Sequence, residues 1–336
     1  MKVSEKIEEW YRANYRDLPF RKTSDPYAIW VSEIMAQQTR IDTMLPYYET
    51  WMNKWPTIEK LAQADLQEVL KVWQGLGYYN RARKLHQGAI TVMENYGGII
   101  PNDPDEIQRI EGIGDYTAGA ILSIAFGEEV PAVDGNVFRV ITRYFALADD
   151  ITKISTRRKV TEICKTWMKD SNPSHFTQGL MEIGAMVCTP KKPMCSLCPL
   201  QDECMAHELG VEENYPIKSK MKAPRELEVY TYVFVCKDEI CLSSDDSDGL
   251  MRDYYRLPQF DSRYNIQGEE LKKRKHVFSH LIWHMNCFLV FMNKKIELDK
   301  CAWVKMKDVH NYPMVTAHKK LLKDHSKLPE LHQLNV

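Results

Sequence analysis

Apolar residues recur at helical spacing through the first two-thirds of the chain. Trp30, Ile34, Ile41, Met44 and Leu45 fall on one helical face, and Leu61, Leu66, Val69, Leu70 and Val72 on another. Pro19, Pro26, Gly75-Leu-Gly77, Gly97-Gly98, Pro101, Pro104 and Gly112-Ile-Gly114 punctuate the segments. The pattern predicts short, closely spaced helices. The composition shifts near Tyr215–Pro224, where Lys218, Lys220 and Lys222 lie between two prolines. Beyond Pro224 the period becomes that of a strand. Leu227, Val229, Tyr230, Tyr232, Val233, Phe234 and Val235 are β-formers, Ile240-Cys241-Leu242 follows a polar break, and Cys287–Met292 is a buried-strand candidate. The chain therefore divides into an all-α domain over 1–220, a linker over 221–228 and a smaller α+β domain over 229–336.

The 336 residues are 44% hydrophobic and 27% charged. That balance excludes wholesale disorder and low-complexity fibre. No apolar run reaches the ~18–20 residues of a membrane span. Met1–Trp10 is charged and lacks an apolar signal core, so a cytoplasmic protein with no membrane partner is expected. The net charge of −1 divides as −4 over residues 1–220 (26 basic, 30 acidic) and +3 over the rest (19 basic, 16 acidic). Bulk charge cannot hold a nucleic acid here. Local patches, backbone amides and helix termini would have to do so.

Four of the nine cysteines crowd into Cys188-x6-Cys195-x2-Cys198-x5-Cys204. An odd total without a signal peptide argues for a metal or cluster site over a disulfide framework. Four thiolates suit zinc and an iron–sulfur cluster equally. Lys191 and Lys192 make the first span of this loop cationic, as suits a face laid against phosphate. In Ile110-Glu-Gly112-Ile-Gly114-Asp-Tyr116, two glycines precede a helix-compatible run. Glycine permits a tight turn and close backbone approach, and free N–H groups at a helix start bind phosphate without a basic side chain. Glu33 lies among apolar helix neighbours, where burial would raise its pKa. Asp134 precedes another apolar helix, whose N-terminus would keep it ionised. Two carboxylates pushed apart in this way supply one acid and one anion, the division of labour of glycosidic chemistry.

Taken together, these segments resemble the MutY-type adenine DNA glycosylases of the helix–hairpin–helix, iron–sulfur base-excision superfamily. The resemblance runs from Leu18-Pro-Phe20-Arg21 through Ser32–Thr39, Gly75-Leu-Gly-Tyr-Tyr79, Gly112-Ile-Gly114 and Val133-Asp-Gly-Asn-Val137 to Met181–Ala185 and the four cysteines. It implies a 4Fe-4S cluster on Cys188, Cys195, Cys198 and Cys204. It implies that Glu33 protonates adenine and later steers water, that Asp134 stabilises the oxocarbenium ion with Asn136 beside it, and that Tyr116 stands near the sugar. Gln38 and Tyr78 would wedge into the duplex, Arg21 and Glu182 would line the adenine pocket, and Gly112 and Gly114 would meet the DNA backbone. The chain departs from the usual pattern at Phe20, often Trp, and at Ala36, often a larger apolar residue.

His276-Val-Phe278-Ser279-His280 resembles the Phe-Ser-His loop by which this family reads 8-oxoguanine. That base carries an N7–H donor where guanine has only an acceptor, so a serine oxygen can tell them apart. The α+β domain resembles a Nudix-like fold without the Nudix catalytic box, and should bind rather than hydrolyse. The implied substrate is double-stranded DNA with adenine opposite 8-oxoguanine or guanine, bound by a monomer. The alternative is an endonuclease III-like bifunctional glycosylase/lyase for oxidised pyrimidines. Relatives of that kind carry a catalytic lysine where this chain has Tyr116, and tyrosine cannot form a Schiff base.

Overall fold

The computed structural model describes residues 1–219, 223–323 and Leu328. Lys220, Lys222 and the first two residues of the expected linker lie outside the described residues. The chain forms two compact units. The first holds Met1–Gln63 and Lys84–Lys220, and the second holds Ala64–Arg83 and Met221–Val336.

The first unit is helical. Its central helix, Pro26–Ala36, starts where Asp25 accepts a hydrogen bond from the Tyr27 N–H at 3.0 Å and Pro26 occupies the first turn. Every residue from Tyr27 to Met35 is buried, so this helix is enclosed on all sides. It does not continue as one face from Trp30 to Leu45. Gln38 adopts φ +56°, the chain turns, and a second helix runs over Ile41–Lys54. Trp30, Ile34 and Met44 are buried as expected, whereas Ile41 and Leu45 are half-exposed. The face expected from Leu61 to Val72 is likewise split, into Ile58–Ala62 and Leu66–Trp73. Asp65 caps the latter by accepting from the Gln67 and Glu68 N–H groups.

Residues 64–83, expected in the helical domain, belong to the second unit because Leu70, Gln74 and Tyr79 all bond to its strand-rich part. That part is a seven-stranded mixed sheet among the described residues: β1 Arg225–Cys236, β2 Glu239–Ser243, β3 Gln259–Phe260, β4 Glu269–Glu270, β5 Arg274–Val277, β6 Leu281–Phe291 and β7 Cys301–Lys305. The main order is β4-β6-β1-β2-β7, with β3 on β1 and β5 on β6. β1 and β6 run parallel from Arg225↔Leu281 to Val235↔Phe291, and the other pairs are antiparallel. This pairing makes Arg225–Glu228 strand, where the sequence pattern suggested linker. It also extends the expected Cys287–Met292 strand back to Leu281.

Alternation along β1 explains the two cores. Val229, Val233 and Val235 face a cluster with Ile240, Leu242, Trp283, Met285, Leu321 and Leu322. Tyr232 and Phe234 face the opposite side with Cys241, Phe288 and Val290. No helix among the described residues is long and apolar enough to cross a membrane.

Candidate active site and cysteine loop

In the first unit, the enclosed Pro26–Ala36 helix carries Glu33, which is 5% exposed. The Tyr116 hydroxyl, from the first turn of the helix Asp115–Ala125, donates to Glu33 Oε2. Arg21 Nη1 lies 3.8 Å from Glu33 Oε1, and Arg21 Nη2 lies 3.2 Å from Glu182 Oε1. Glu182 is fully enclosed and receives Arg16 through two bonds of 2.6 and 2.9 Å. Two glutamates and two arginines therefore alternate in one network, in which Arg21 Nε has no partner among the described residues. Burial raises the pKa of Glu33 above the ordinary carboxylate value, and the charges of Asp134 and Glu182 raise it further. Arg21 and the Tyr116 hydroxyl oppose them.

Asp134 caps the helix Gly135–Tyr144. Its Oδ1 accepts from the Val137 N–H at 2.8 Å and its Oδ2 from Asn136 Nδ2 at 2.7 Å. These bonds favour the anion, as the N-terminal position suggested. Burial outweighs them, however, and the pKa of Asp134 is also raised. The expected separation of the two carboxylates by opposite shifts is not found. What distinguishes them is their contacts: Glu33 meets a hydroxyl and a guanidinium, Asp134 an amide and a backbone N–H.

Arg139 links Asp134 to the cysteines. It donates to Asn136 Oδ1 at 2.8 Å, to the Gly184 carbonyl at 2.6 Å and to the Cys188 carbonyl at 2.6 Å. A Cβ on Gly184 would come 2.6 Å from Asn136 Cβ, so only glycine permits this approach. The helix Pro173–Glu182 runs into a wider π-turn, Ile183–Val187, that delivers Cys188. Arg143 Nη1 reaches Cys188 Sγ at 3.3 Å. Backbone N–H groups of Leu200, and of Ala206 and His207, point at Cys198 and Cys204. Burial and then the Glu212 carboxylate, ahead of the neighbouring sulfurs, push the Cys195 thiol up to about 11, and burial with the other three sulfurs pushes Cys198 up to about 12. Cys195 also forms a group with His207 and Glu212, whose ligand atoms lie within 4.8 Å of one another.

Of the residues the sequence reading named, the structure brings Arg21, Glu33, Tyr116, Asp134, Asn136 and Glu182 into this one unit. That reading missed Arg16, Arg139 and Arg143. Arg139 had a usable signal, one turn after Asn136 on the same helix, whereas Arg16 meets Glu182 across 166 residues with none. Gly112 takes φ +89°, and an added Cβ there would crowd Lys84 at 3.1 Å. Gly114 is extended and opens onto free space at the start of the Asp115 helix. Gln38 is exposed in its left-handed turn. Tyr78, in the second unit, is 49% exposed at φ +46°. Ser279 and His280 form the exposed tip between β5 and β6, closed by the Phe278 N–H on the Leu281 carbonyl at 2.7 Å. Phe278 packs edge-on against Trp283 at 4.8 Å.

Residues 31–166 match the HhH-GPD superfamily of base excision DNA repair proteins. The adenine DNA glycosylase of Rattus norvegicus is 44% identical over 208 residues, 59% of this chain and 40% of its own. That of Buchnera aphidicola subsp. Schizaphis graminum is 31% identical over 338 residues, 95% of this chain and 97% of its own. The chain thus spans about two-fifths of the mammalian relatives' length and nearly all of the Buchnera one. A thermostable thymine-DNA glycosylase of known structure is 30% identical with a TM-score of 0.55, covering 61% of this chain and 95% of that one. A trapped endonuclease III–DNA covalent intermediate, at 21% identity and TM-score 0.53 over 61% of this chain and 94% of that one, shares the fold. By the near full-length match and the family match over residues 31–166, this chain belongs to the adenine DNA glycosylases of the HhH-GPD superfamily.

Proposed function

We propose that this protein excises adenine paired with 8-oxoguanine, or with guanine, from duplex DNA as a monofunctional glycosylase. The observation that carries the reading is the buried Glu33, held between Tyr116 and Arg21 with its pKa raised. A carboxyl whose pKa is raised holds its proton to higher pH than an ordinary carboxylate and can protonate a purine ring nitrogen, and the neutral base then leaves with the electrons of the N-glycosidic bond. The oxocarbenium ion left on the sugar is stabilised by the Asp134 carboxylate, which Asn136 and the Val137 N–H hold in place. Water adds to the cation, and Glu33, now ionised, takes up the proton that water releases. Tyr116 has no amine to attack the sugar.

An adenine in a stack is out of reach of Glu33, so it must leave the helix. We assign Gln38 and Tyr78 to the duplex wedge, Arg21 and Glu182 to the walls of the adenine pocket, and Gly112 and Gly114 to the phosphate backbone. The mixed sheet is read as a Nudix-like lesion reader, with Phe278, Ser279 and His280 at its tip. A 4Fe-4S cluster fits the donor set of Cys188, Cys195, Cys198 and Cys204, because these sulfurs lie together and N–H groups point at them; the His207–Glu212 pair offers hard ligands that suit such a cluster poorly. When bound, the cluster cross-links the loop. The enzyme acts as a cytoplasmic monomer, since one lesion needs one copy.

Strand nicking on a duplex with adenine opposite 8-oxoguanine tests the reading. Cleavage that needs alkali supports it, and cleavage without alkali would establish the lyase alternative.

A further inference from the structure

The segment Gly75–Tyr79 is unusually constrained. Gly75, Gly77 and Tyr78 all have positive φ, of +107°, +72° and +46°. A bulky residue such as tyrosine is strained in that region and stays there only if its surroundings impose it. The Gly77 carbonyl accepts from Trp73 Nε1 and from Arg81 Nη2, each at 3.1 Å. The Arg81 guanidinium lies over both the Trp73 and Tyr78 rings, at 5.2 and 5.5 Å. These contacts come from the segment's own flanks.

The remaining contacts come from the strand-rich part of the same unit, and they converge on the next residue. The Tyr79 ring packs at a tilt of 40° against Tyr254, centroids 4.3 Å apart, and Tyr254 is buried and donates its hydroxyl to the Leu70 carbonyl at 2.9 Å. The Tyr79 hydroxyl meets Thr316 Oγ1 at 3.1 Å. Arg83, one turn on, pairs with Asp253 at 2.6 Å and donates to the Arg252 carbonyl at 2.6 Å. Tyr79 is therefore clamped on its ring face and at its hydroxyl, while its neighbour Tyr78 projects outward.

We infer that Tyr79 is a positioning residue, clamped by Tyr254 and Thr316 to hold the Tyr78 ring in its projecting, left-handed conformation for entry into the duplex. The inference rests on the reading of Tyr78 as the wedge. The clamp makes the sheet-bearing unit a determinant of base extrusion as well as of lesion reading. Releasing Tyr79 lets residues 75–79 relax, and each extrusion must then re-impose the strained backbone at the cost of binding free energy.

The test combines Tyr78→Ala, Tyr79→Leu and the double variant. Single-turnover adenine excision is measured, together with the fluorescence of 2-aminopurine placed beside the target adenine, which reports unstacking. Tyr79→Leu should slow excision and reduce the unstacking signal roughly threefold to tenfold, the size of one aromatic pair. In the Tyr78→Ala background it should cost nothing further, a non-additivity that a purely structural role does not produce. Tyr79→Phe, which keeps the ring on Tyr254 but gives up the hydrogen bond to Thr316, should fall between wild type and Tyr79→Leu and match Thr316→Val. If Tyr79→Leu fails to fold, Thr316→Val carries the same cycle through loss of one hydrogen bond, with an effect of roughly twofold to tenfold. Full loss in both backgrounds, or no loss from Tyr79→Leu where Tyr78→Ala is impaired, would overturn the clamp alone. An unimpaired Tyr78→Ala would overturn the wedge reading and the clamp with it.

Discussion

Replacing Glu33 with glutamine separates catalysis from stability in a single protein. An amide cannot donate the proton that makes adenine a leaving group, so excision should fall by at least ~10²–10⁴-fold, the usual worth of a positioned acid. At 1.36 kcal/mol per decade this is about 3–5 kcal/mol of barrier. Stability should move the other way. Glu33 has a raised pKa in the folded protein, chiefly through burial. Such a group favours folding fully below its unfolded pKa and loses that contribution as pH rises through its folded pKa. Above that point the wild type holds a carboxylate whose desolvation the Arg21 pair at 3.8 Å offsets only in part. The Glu33→Gln side chain would carry no such cost, and its amide oxygen can still accept from Tyr116. Arg21 keeps Glu182 at 3.2 Å. Each pKa unit is worth about 1.4 kcal/mol, and 1 kcal/mol shifts Tm by roughly 2–4 °C at this size. The variant should therefore melt a few degrees above wild type at mildly alkaline pH, and the gap should close toward acid. The assay pairs single-turnover excision with thermal melts across that range. A near-normal rate, or a variant that melts lower at alkaline pH, would refute the argument.

Arg16→Met should destabilise the first unit by about 3 kcal/mol, the low end for breaking a buried ion pair, because Glu182 is fully enclosed while Arg16 is about one-third exposed; an unchanged urea midpoint would contradict this. Purified protein should be yellow-brown with about four irons per chain, Cys188→Ser should bleach it, and replacing Cys236 or Cys287, which lie in strands β1 and β6, should leave the colour intact; stoichiometric zinc in protein isolated without air would count against the cluster. Ser279→Ala with His280→Ala should slow excision opposite 8-oxoguanine roughly tenfold to a hundredfold while sparing adenine opposite guanine, as expected for a lost base-edge contact of ~1–3 kcal/mol; equal losses on both duplexes would make the tip structural.

Much of this was legible because local chemistry set it. Pro26 punctuates the chain where a helix starts, Asp134 precedes an apolar helix, and the β-formers from Leu227 to Val235 mark a strand. What was hidden depends on partners distant in sequence. The apolar period from Trp30 to Leu45 is continuous on paper, yet a left-handed Gln38 breaks it. Arg225–Glu228 carries two glutamates and an arginine, and only the parallel partner β6 makes it strand. The raised pKa of Asp134 follows from burial that no cap motif reveals. The place of residues 64–83 in the second unit is likewise set by Tyr254 and Thr316, far along the chain.

That interleaving sets a timetable for synthesis. Tyr79 and Thr316 are 237 residues apart, and Leu70 and Tyr254 are 184 apart. At about 5–20 residues per second, the ribosome releases Tyr79 some ten to fifty seconds before Thr316 exists. Through that interval the first unit's own sequence, on both sides of residues 64–83, is already being made. The segment must wait as a loop tethered at both ends within a folding neighbour. The tether shortens the later search, because Tyr254 then seeks a site of restricted mobility. It also exposes Val69, Leu70 and Trp73 meanwhile, so slowing translation between residues 84 and 254 should increase the nascent chain's demand for holding chaperones.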